Sequence, residues 1–201
     1  MKPNRFSELL IATSNPGKIT EIQQALTGLQ IKLRFLGSSN KFEEPVESGE
    51  TYAENAIIKA TEYAKQMGFC ALADDSGLEV DYLGGAPGLR SARFGAGNDA
   101  DRVQLLLSKL IGVSDSERTA RFVSVVAVVH PKEGVMKLAE GTCSGRINHA
   151  PKGENGFGYD PIFVPDGHDL TFAQLPLEIK NIISHRAKSL AATRAFLIDE
   201  K

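Results

Sequence analysis

"LLIATSNPGK", residues 9–18, runs from an apolar stretch into a polar loop that ends on Gly17-Lys18. Ile19, Ile22, Gln23 and Leu26 then recur at helical spacing, and Gly28 is a natural stop. Strand, tight loop and helix N-terminus in that order are the building unit of an α/β fold. Further along, Ile31 to Leu36 reads as a second strand and the polar, acidic stretch 37–49 as a loop. Thr51 and Glu54 form a capping box for a helix over 51–67 that Gly68 ends. Phe69 to Ala73 predicts a strand, Asp74-Asp75-Ser76-Gly77 a turn, and Leu78 to Leu83 another strand. A helix over 100–110 follows, capped by Asn98 or Asp99. Arg121–His130 and Val135–Ala139 read as a hairpin, Arg146-Ile147 as part of a further strand, and Arg186–Ile198 as a last helix with Ser184 as its cap. Strands alternate with helices early and meander later, so a mixed sheet with flanking helices is expected.

The loop itself invites comparison with a P-loop, Gly-x4-Gly-Lys-Ser/Thr. Gly17 and Lys18 fit. Ala12 stands where the first glycine belongs, and Ile19 where the magnesium-ligating hydroxyl belongs. A helix N-terminus binds anions without help, because its first amides lack internal partners and its dipole is positive there. Lys18 adds a full charge, and Ser14 and Asn15 add side-chain donors. The plain alternative is a strand-to-helix turn with Lys18 in solvent. If the loop holds a polyphosphate, any metal must be held by acidic residues elsewhere.

Asp74-Asp75 supplies such residues, at a strand end, where open α/β sheets bind ligands. Neighbouring side chains on a strand face opposite ways, so the two aspartates are expected to do different work. One would bind Mg2+ through oxygen, and the other would hold the turn through backbone amides. An Asx turn with both groups solvated is the alternative. Glu47, just before a helix, is a second candidate metal ligand, whereas Glu54 reads as a cap. In "NGFGYDP", residues 155–161, glycines let backbone approach a ligand. Phe157 and Tyr159 could stack on a flat base, and Asp160 could accept hydrogen bonds. Aromatics turned into the core are the alternative there. Lys180, His185 and Arg186 offer donors suited to carbonyl or phosphate oxygens.

Composition narrows the classes. A 201-residue chain of net charge −2 suits one domain over 1–201, and it has no clustered Lys and Arg for a nucleic-acid backbone. Cys70 and Cys143 sit in apolar, strand-like surroundings and read as reduced and structural. His130, His149 and His168 lack zinc-like spacing. Met1–Arg5 carries no signal-peptide core, and no segment approaches the roughly 18 apolar residues of a membrane span. A soluble, cytoplasmic protein that binds neither nucleic acid nor membrane is expected.

The ordered set "TSNPGK", "ESGETYAENA", "LADDSGLEVDYLGGAPGLRSARF", "GFGYDPIF" and "SHR" closely resembles the inosine/xanthosine triphosphate pyrophosphatase family. Each motif is weak alone; the series, spread from about Leu9 to Leu197, is specific. The resemblance implies Mg2+-dependent hydrolysis of ITP, dITP and XTP to monophosphate and pyrophosphate. It also implies a homodimer and a mixed α/β fold of two lobes around a central cleft. Thr13, Ser14, Asn15, Pro16, Gly17 and Lys18 would bind the triphosphate, Asp75 would bind metal and accept a proton, and Glu47 would be the other metal ligand. Ser76 would contact substrate, while Phe157, Gly158, Tyr159, Asp160, Lys180, His185 and Arg186 would hold the base and sugar. Many relatives have two consecutive glutamates where this chain has Val46-Glu47, with Glu43 and Glu44 as nearby substitutes. Asp74 is the alternative base. A kinase built on the Lys18 loop, or a non-catalytic nucleotide-binding module, is the competing class: the first would make no pyrophosphate, the second would not turn over.

Overall fold

The computed structural model describes residues 6–37 and 43–199. Its elements are β1 (Glu8–Ile11), α1 (Pro16–Ala25), β2 (Lys32–Phe35), α2 (Tyr52–Met67), β3 (Ala71–Val80), α3 (Asp99–Lys109), β4 (Thr119–His130), β5 (Gly134–Ile147), β6 (Phe163–Pro165), α4 (Leu177–Ile183) and α5 (His185–Asp199). The strands form one six-stranded sheet in the order β2-β1-β3-β4-β5-β6. β1 pairs in parallel with β2 and with β3, whereas β5 and β6 are antiparallel. This is the mixed α/β sheet that the early alternation and later meander predict. Of the loop expected over 37–49, residues 38–42 lie outside the described residues, as do Met1–Arg5. Among the described residues, no helix is long and apolar enough to cross a membrane.

The chain divides into two compact units. Unit 1 holds residues up to Asp75, Ser124–Gly141 and the segment from Arg186 onward; unit 2 holds Ser76–Val123 and Thr142–His185. In unit 1, side-chain alternation along the strands builds two cores. Leu9, Ile11, Leu72, Val126 and Val128 pack with Ile22 of α1 and Leu190 and Leu197 of α5. Leu10, Ala71, Ala73, Val125 and Ala127 pack with Ala56, Ala60 and Ala64 of α2. Unit 2 has a single core, in which Phe122, Phe163 and Phe172 pack with Leu78, Val103 and Leu106. Phe122 meets Phe163 edge-on at 4.7 Å between centroids. Cys70 and Cys143 are free thiols, both buried.

Two expectations change. Asp74-Asp75-Ser76-Gly77 is no turn: β3 runs unbroken through it from Ala71 to Val80. Local propensity reads those residues as turn formers, but the sheet ladder and the cations described below outweigh it. Arg146-Ile147 ends β5 and does not begin a further strand. The capping box of α2 is present as expected, with Thr51 accepting from the Glu54 amide and Gly68 left-handed at φ 75°.

Candidate functional site

In unit 1 the loop after β1 is shaped by its own side chains. Asn15 caps α1, its Oδ1 accepting from the Lys18 amide at 3.1 Å, and Pro16 opens the helix without an N–H. Thr13 Oγ1 accepts from the Asn15 amide at 3.2 Å. Gly17 is then the first-turn amide with no acceptor among the described residues. Ser14, Asn15 and Pro16 are exposed. Lys18 is not in solvent: its Nζ lies 2.7 Å from Asp74 Oδ2, and its side chain is only 16% exposed. Burial, together with the nearby Arg186 and Lys59 charges, lowers its pKa despite Asp74.

The strand period separates the two aspartates. Asp74 continues the Cys70-Leu72 row toward α1 and α5, and Asp75 continues the Ala71-Ala73 row toward α2. Asp74 is fully buried. Its Oδ2 accepts from Lys18 and, at 3.3 Å, from Arg186; its Oδ1 accepts from Ser124 Oγ at 2.5 Å. Burial alone would raise its pKa, but Arg186 and Lys18 outweigh that and hold the carboxyl well below the usual range. The expected differentiation of the pair is therefore present, though not in the expected form: Asp74 binds cations and a hydroxyl, where a turn holder was expected.

Asp75 has other neighbours. Lys59 Nζ of α2 lies 3.0 Å from Asp75 Oδ1 and 2.8 Å from Glu47 Oε1, so both carboxylates converge on one positive charge. Burial raises the Asp75 pKa despite Lys59. Burial lowers that of Lys59, but Asp75 and Glu47 together carry it above the ordinary value. Val46, beside Glu47, is 80% exposed. Asn55, one turn into α2, accepts from the Gly49 amide at 2.8 Å and so ties down the chain that carries Glu47. Space supports the glycine: a Cβ on Gly49 would lie 2.6 Å from that of Glu54.

Arg186 differs from its expected role. Its side chain is 2% exposed, with Nη1 donating to Glu21 at 2.6 Å and Nη2 to Asp74. It belongs to a buried chain of alternating charge, Lys18–Asp74–Arg186–Glu21, because its helix face turns toward β3 and α1 rather than toward solvent.

Unit 2 assembles the remaining candidates. Lys180 of α4 donates to Asp160 Oδ2 at 2.5 Å, and its ammonium lies 5.1 Å from the Phe157 ring centre and 5.7 Å from that of Phe172. Asp160 also accepts from the Phe157 amide at 2.9 Å. Gly156 makes that approach possible: it has φ 77°, and a Cβ there would run into the Asp160 carboxylate. The Gly158 amide donates to Asp99 at 2.8 Å. Half-buried Phe157 lines a cavity of about 300 Å³ with Asn155, Asp99, Val103 and Gln104. His185 is buried and stacks on Phe122 at 4.6 Å with 10° between the rings. Tyr159 corrects another expectation: its ring belongs to the unit 2 core and its hydroxyl donates to the Ser91 carbonyl at 2.9 Å. It has no free face to offer a base, which leaves Phe157 as the stacking candidate. Ser76 follows Asp75 along β3 and is half-buried.

Sequence reasoning missed Lys59, Glu21, Ser124 and Ser189. A signal existed for Lys59, which lies three residues after Ala56 and four before Tyr63, on the buried stripe of α2. Glu21 sits three residues after Lys18 on α1. No local signal marked Ser124 or Ser189.

The chain's likeness to known proteins agrees with this geometry. The family model described as "Ham1 family" matches residues 9–196. A protein named dITP/XTP pyrophosphatase from Deinococcus deserti is 49% identical over 94% of this chain and 88% of its own. One of the same name from Nostoc is 46% identical over 92% and 91%. Among solved structures, a HAM1 protein from Coxiella burnetii superposes with a TM-score of 0.84 at 38% identity, covering 96% of this chain and 98% of that one. The Staphylococcus aureus Ham1 protein gives 0.82 at 39%, covering 96% and 100%. The motif series, the mixed sheet and these matches agree: the chain belongs to the Ham1 family.

Proposed function

We propose that this protein hydrolyses ITP, dITP and XTP to the nucleoside monophosphate and pyrophosphate, clearing deaminated purines from the nucleotide pool. One observation carries the reading: adjacent carboxylates on opposite faces of β3, one neutralised by buried cations and the other sharing a single positive charge with Glu47. The name dITP/XTP pyrophosphatase, borne by the Deinococcus deserti and Nostoc relatives, supports the substrate class.

In this reading the Lys18 ammonium and the Gly17 amide offset phosphate charge, with Thr13, Ser14, Asn15 and Pro16 shaping the loop. Asp75 takes a proton from the water that attacks the α-phosphorus; an O–P bond forms, and the bond to the leaving pyrophosphate breaks. Burial suits Asp75 to this work, because it raises the carboxylate's affinity for a proton. Asp74 is the poorer base, paired with two cations. Glu47 and Asp75 fit a magnesium ion: both are oxygen donors, and both already point at one cation position. When bound there, Mg2+ would act as a Lewis acid toward the phosphoryl oxygens.

Base selection falls to donors. Lys180, His185 and nearby amides suit a 6-oxo purine and would be left unpaired by a 6-amino group. That mismatch can discriminate by several powers of ten. Phe157 would stack on the ring, Gly158 would let backbone approach it, and Asp160 would fix Lys180. Ser76 is assigned a substrate contact, and Arg186 acts through Asp74. A cytoplasmic homodimer belongs to the same proposal, and sedimentation would test its dimeric part.

The decisive experiment resolves products. With Mg2+ and, separately, dITP, XTP, dGTP and dATP, the expected outcome is monophosphate plus pyrophosphate from dITP and XTP. dATP should be nearly untouched through the 6-amino mismatch, and dGTP, whose 6-oxo group fits the same donors, nearly untouched through a second filter at position 2. Diphosphate plus phosphate would place attack at the γ-phosphorus and overturn the mechanism. Binding without turnover would leave a nucleotide-binding module.

A further inference from the structure

Two hydroxyls lie at the centre of unit 1 with no role in the chemistry above. Ser124 of β4 and Ser189 of α5 are both 0% exposed. Each is surrounded by core: Val125 and Val126 follow Ser124, and Leu190 follows Ser189. A buried hydroxyl is costly unless it is hydrogen-bonded, and an apolar side chain would fill either place. Their bonds show what they do. Ser124 Oγ donates to Asp74 Oδ1 at 2.5 Å, and the two serine oxygens are 2.9 Å apart.

The direction follows from counting protons. A hydroxyl has one proton, and a carboxylate flanked by an ammonium and a guanidinium only accepts. Ser124 therefore gives its proton to Asp74, so Ser189 is the donor between the serines. The Arg186 carbonyl, 3.1 Å from Ser189 Oγ, is the more distant claimant on that proton. Thr193 Oγ1 donates to the Ser189 carbonyl at 2.9 Å and holds that turn of α5. With Oδ1 taken by Ser124, Oδ2 is the oxygen left for Lys18 at 2.7 Å. The terminal torsion of an aspartate is broad, so the Ser124 hydroxyl on Oδ1 narrows the range of carboxylate orientations in which Oδ2 faces Lys18.

We propose that Ser189 and Ser124 form a one-way hydroxyl relay that aims Asp74 at Lys18, which makes both serines positioning residues for the phosphate-facing ammonium. The inference rests on the phosphate role given to Lys18 above. The relay reaches Lys18 from β4 and α5, neither of which carries the loop.

Calorimetric binding of inorganic tripolyphosphate to the full chain tests it. Ser124→Ala is expected to weaken binding about tenfold, the size of a lost hydrogen bond to a charged group. Ser124→Thr, which keeps the hydroxyl, should stay near wild type. In a Lys18→Ala background, Ser124→Ala should have no further effect, because neighbours acting through one group are not additive. Should Ser124→Ala fail to fold, Ser189→Ala gives the same test one bond further out, with an expected loss of about threefold that also vanishes without Lys18. Unchanged affinity, or an equal loss in both backgrounds, would overturn the relay. Turnover separates this idea from the one it rests on. Coupling without dITP hydrolysis would sink the pyrophosphatase reading alone; hydrolysis without coupling would sink the relay alone.

Discussion

Unit 1 gathers charge around one strand, and unit 2 gathers rings around one ion pair. In unit 1, Lys18, Glu21, Lys59, Asp74, Asp75 and Arg186 come from α1, α2, β3 and α5, and pair on both faces of β3. In unit 2, Lys180 and Asp160 make a single buried pair that Phe157 and Phe172 flank within cation–π distance. Burying charge costs stability unless partners are close. Unit 1 meets that demand with an alternating chain of opposite charges, and unit 2 with one short contact and two aromatic faces. Many cations beside carboxylates suit a polyanion and its hydrolysis; a flat ring beside one ammonium suits an aromatic base.

The largest expected effect separates the two faces of β3. Asp75→Asn should lower turnover of dITP by about 10³-fold, within the usual range for a lost general base, while circular dichroism stays at wild type. Asp74→Asn should instead cost about 3–5 kcal/mol in denaturant unfolding, since it leaves Lys18 and Arg186 buried without their counter-charge. If the two variants lost activity and stability alike, the division of labour would be wrong.

The next test contrasts the units. Phe157→Ala should raise KM for dITP about tenfold or more, the size of one lost base–aromatic stack, and leave tripolyphosphate affinity unchanged. A parallel loss of both would merge the roles kept apart above.

Smaller effects should appear at opposite ends of the pH scale. The Asp74 carboxyl is held well below its ordinary value, so the unfolded chain takes up that proton first. Its contribution to stability is present above about pH 3.9 and is lost as pH falls through the folded value. Burial pushes Tyr159 up to about 12. An unfolded tyrosine ionises near pH 10, so stability holds below about 10 and declines toward the folded value. Melting curves across pH should show a shallower acid limb for Asp74→Asn and a shallower alkaline limb for Tyr159→Phe. The smallest effect concerns neither set: Thr51→Ala removes one half of the α2 capping box and should cost about 1 kcal/mol, with kcat unchanged.

Much of this was legible along the chain. The capping box at Thr51 and Glu54, the Gly68 stop and the Asn98 cap lie within a few residues of the helices they define. The alternation that sends Asp74 and Asp75 to opposite faces is a property of any strand. The turn expected at 74–77 was the local error, because Asp, Ser and Gly favour turns wherever no sheet opposes them. Tyr159 misled for a related reason: glycines on either side suggest an open loop, yet the ring turns inward and its hydroxyl finds the Ser91 carbonyl.

By itself, the sequence determined the order of the elements as far as α2, the strand-loop-helix at Lys18, the two-faced aspartate pair and the motif series that marks the family. Tertiary structure alone decided which charges pair. Arg186 meets Asp74 across 112 positions of chain, Ser124 meets Asp74 across 50, and Lys59 meets Asp75 across 16. Spacing and propensity act over one or two turns of chain, whereas a buried ion takes whichever partner the folded core brings within hydrogen-bond reach.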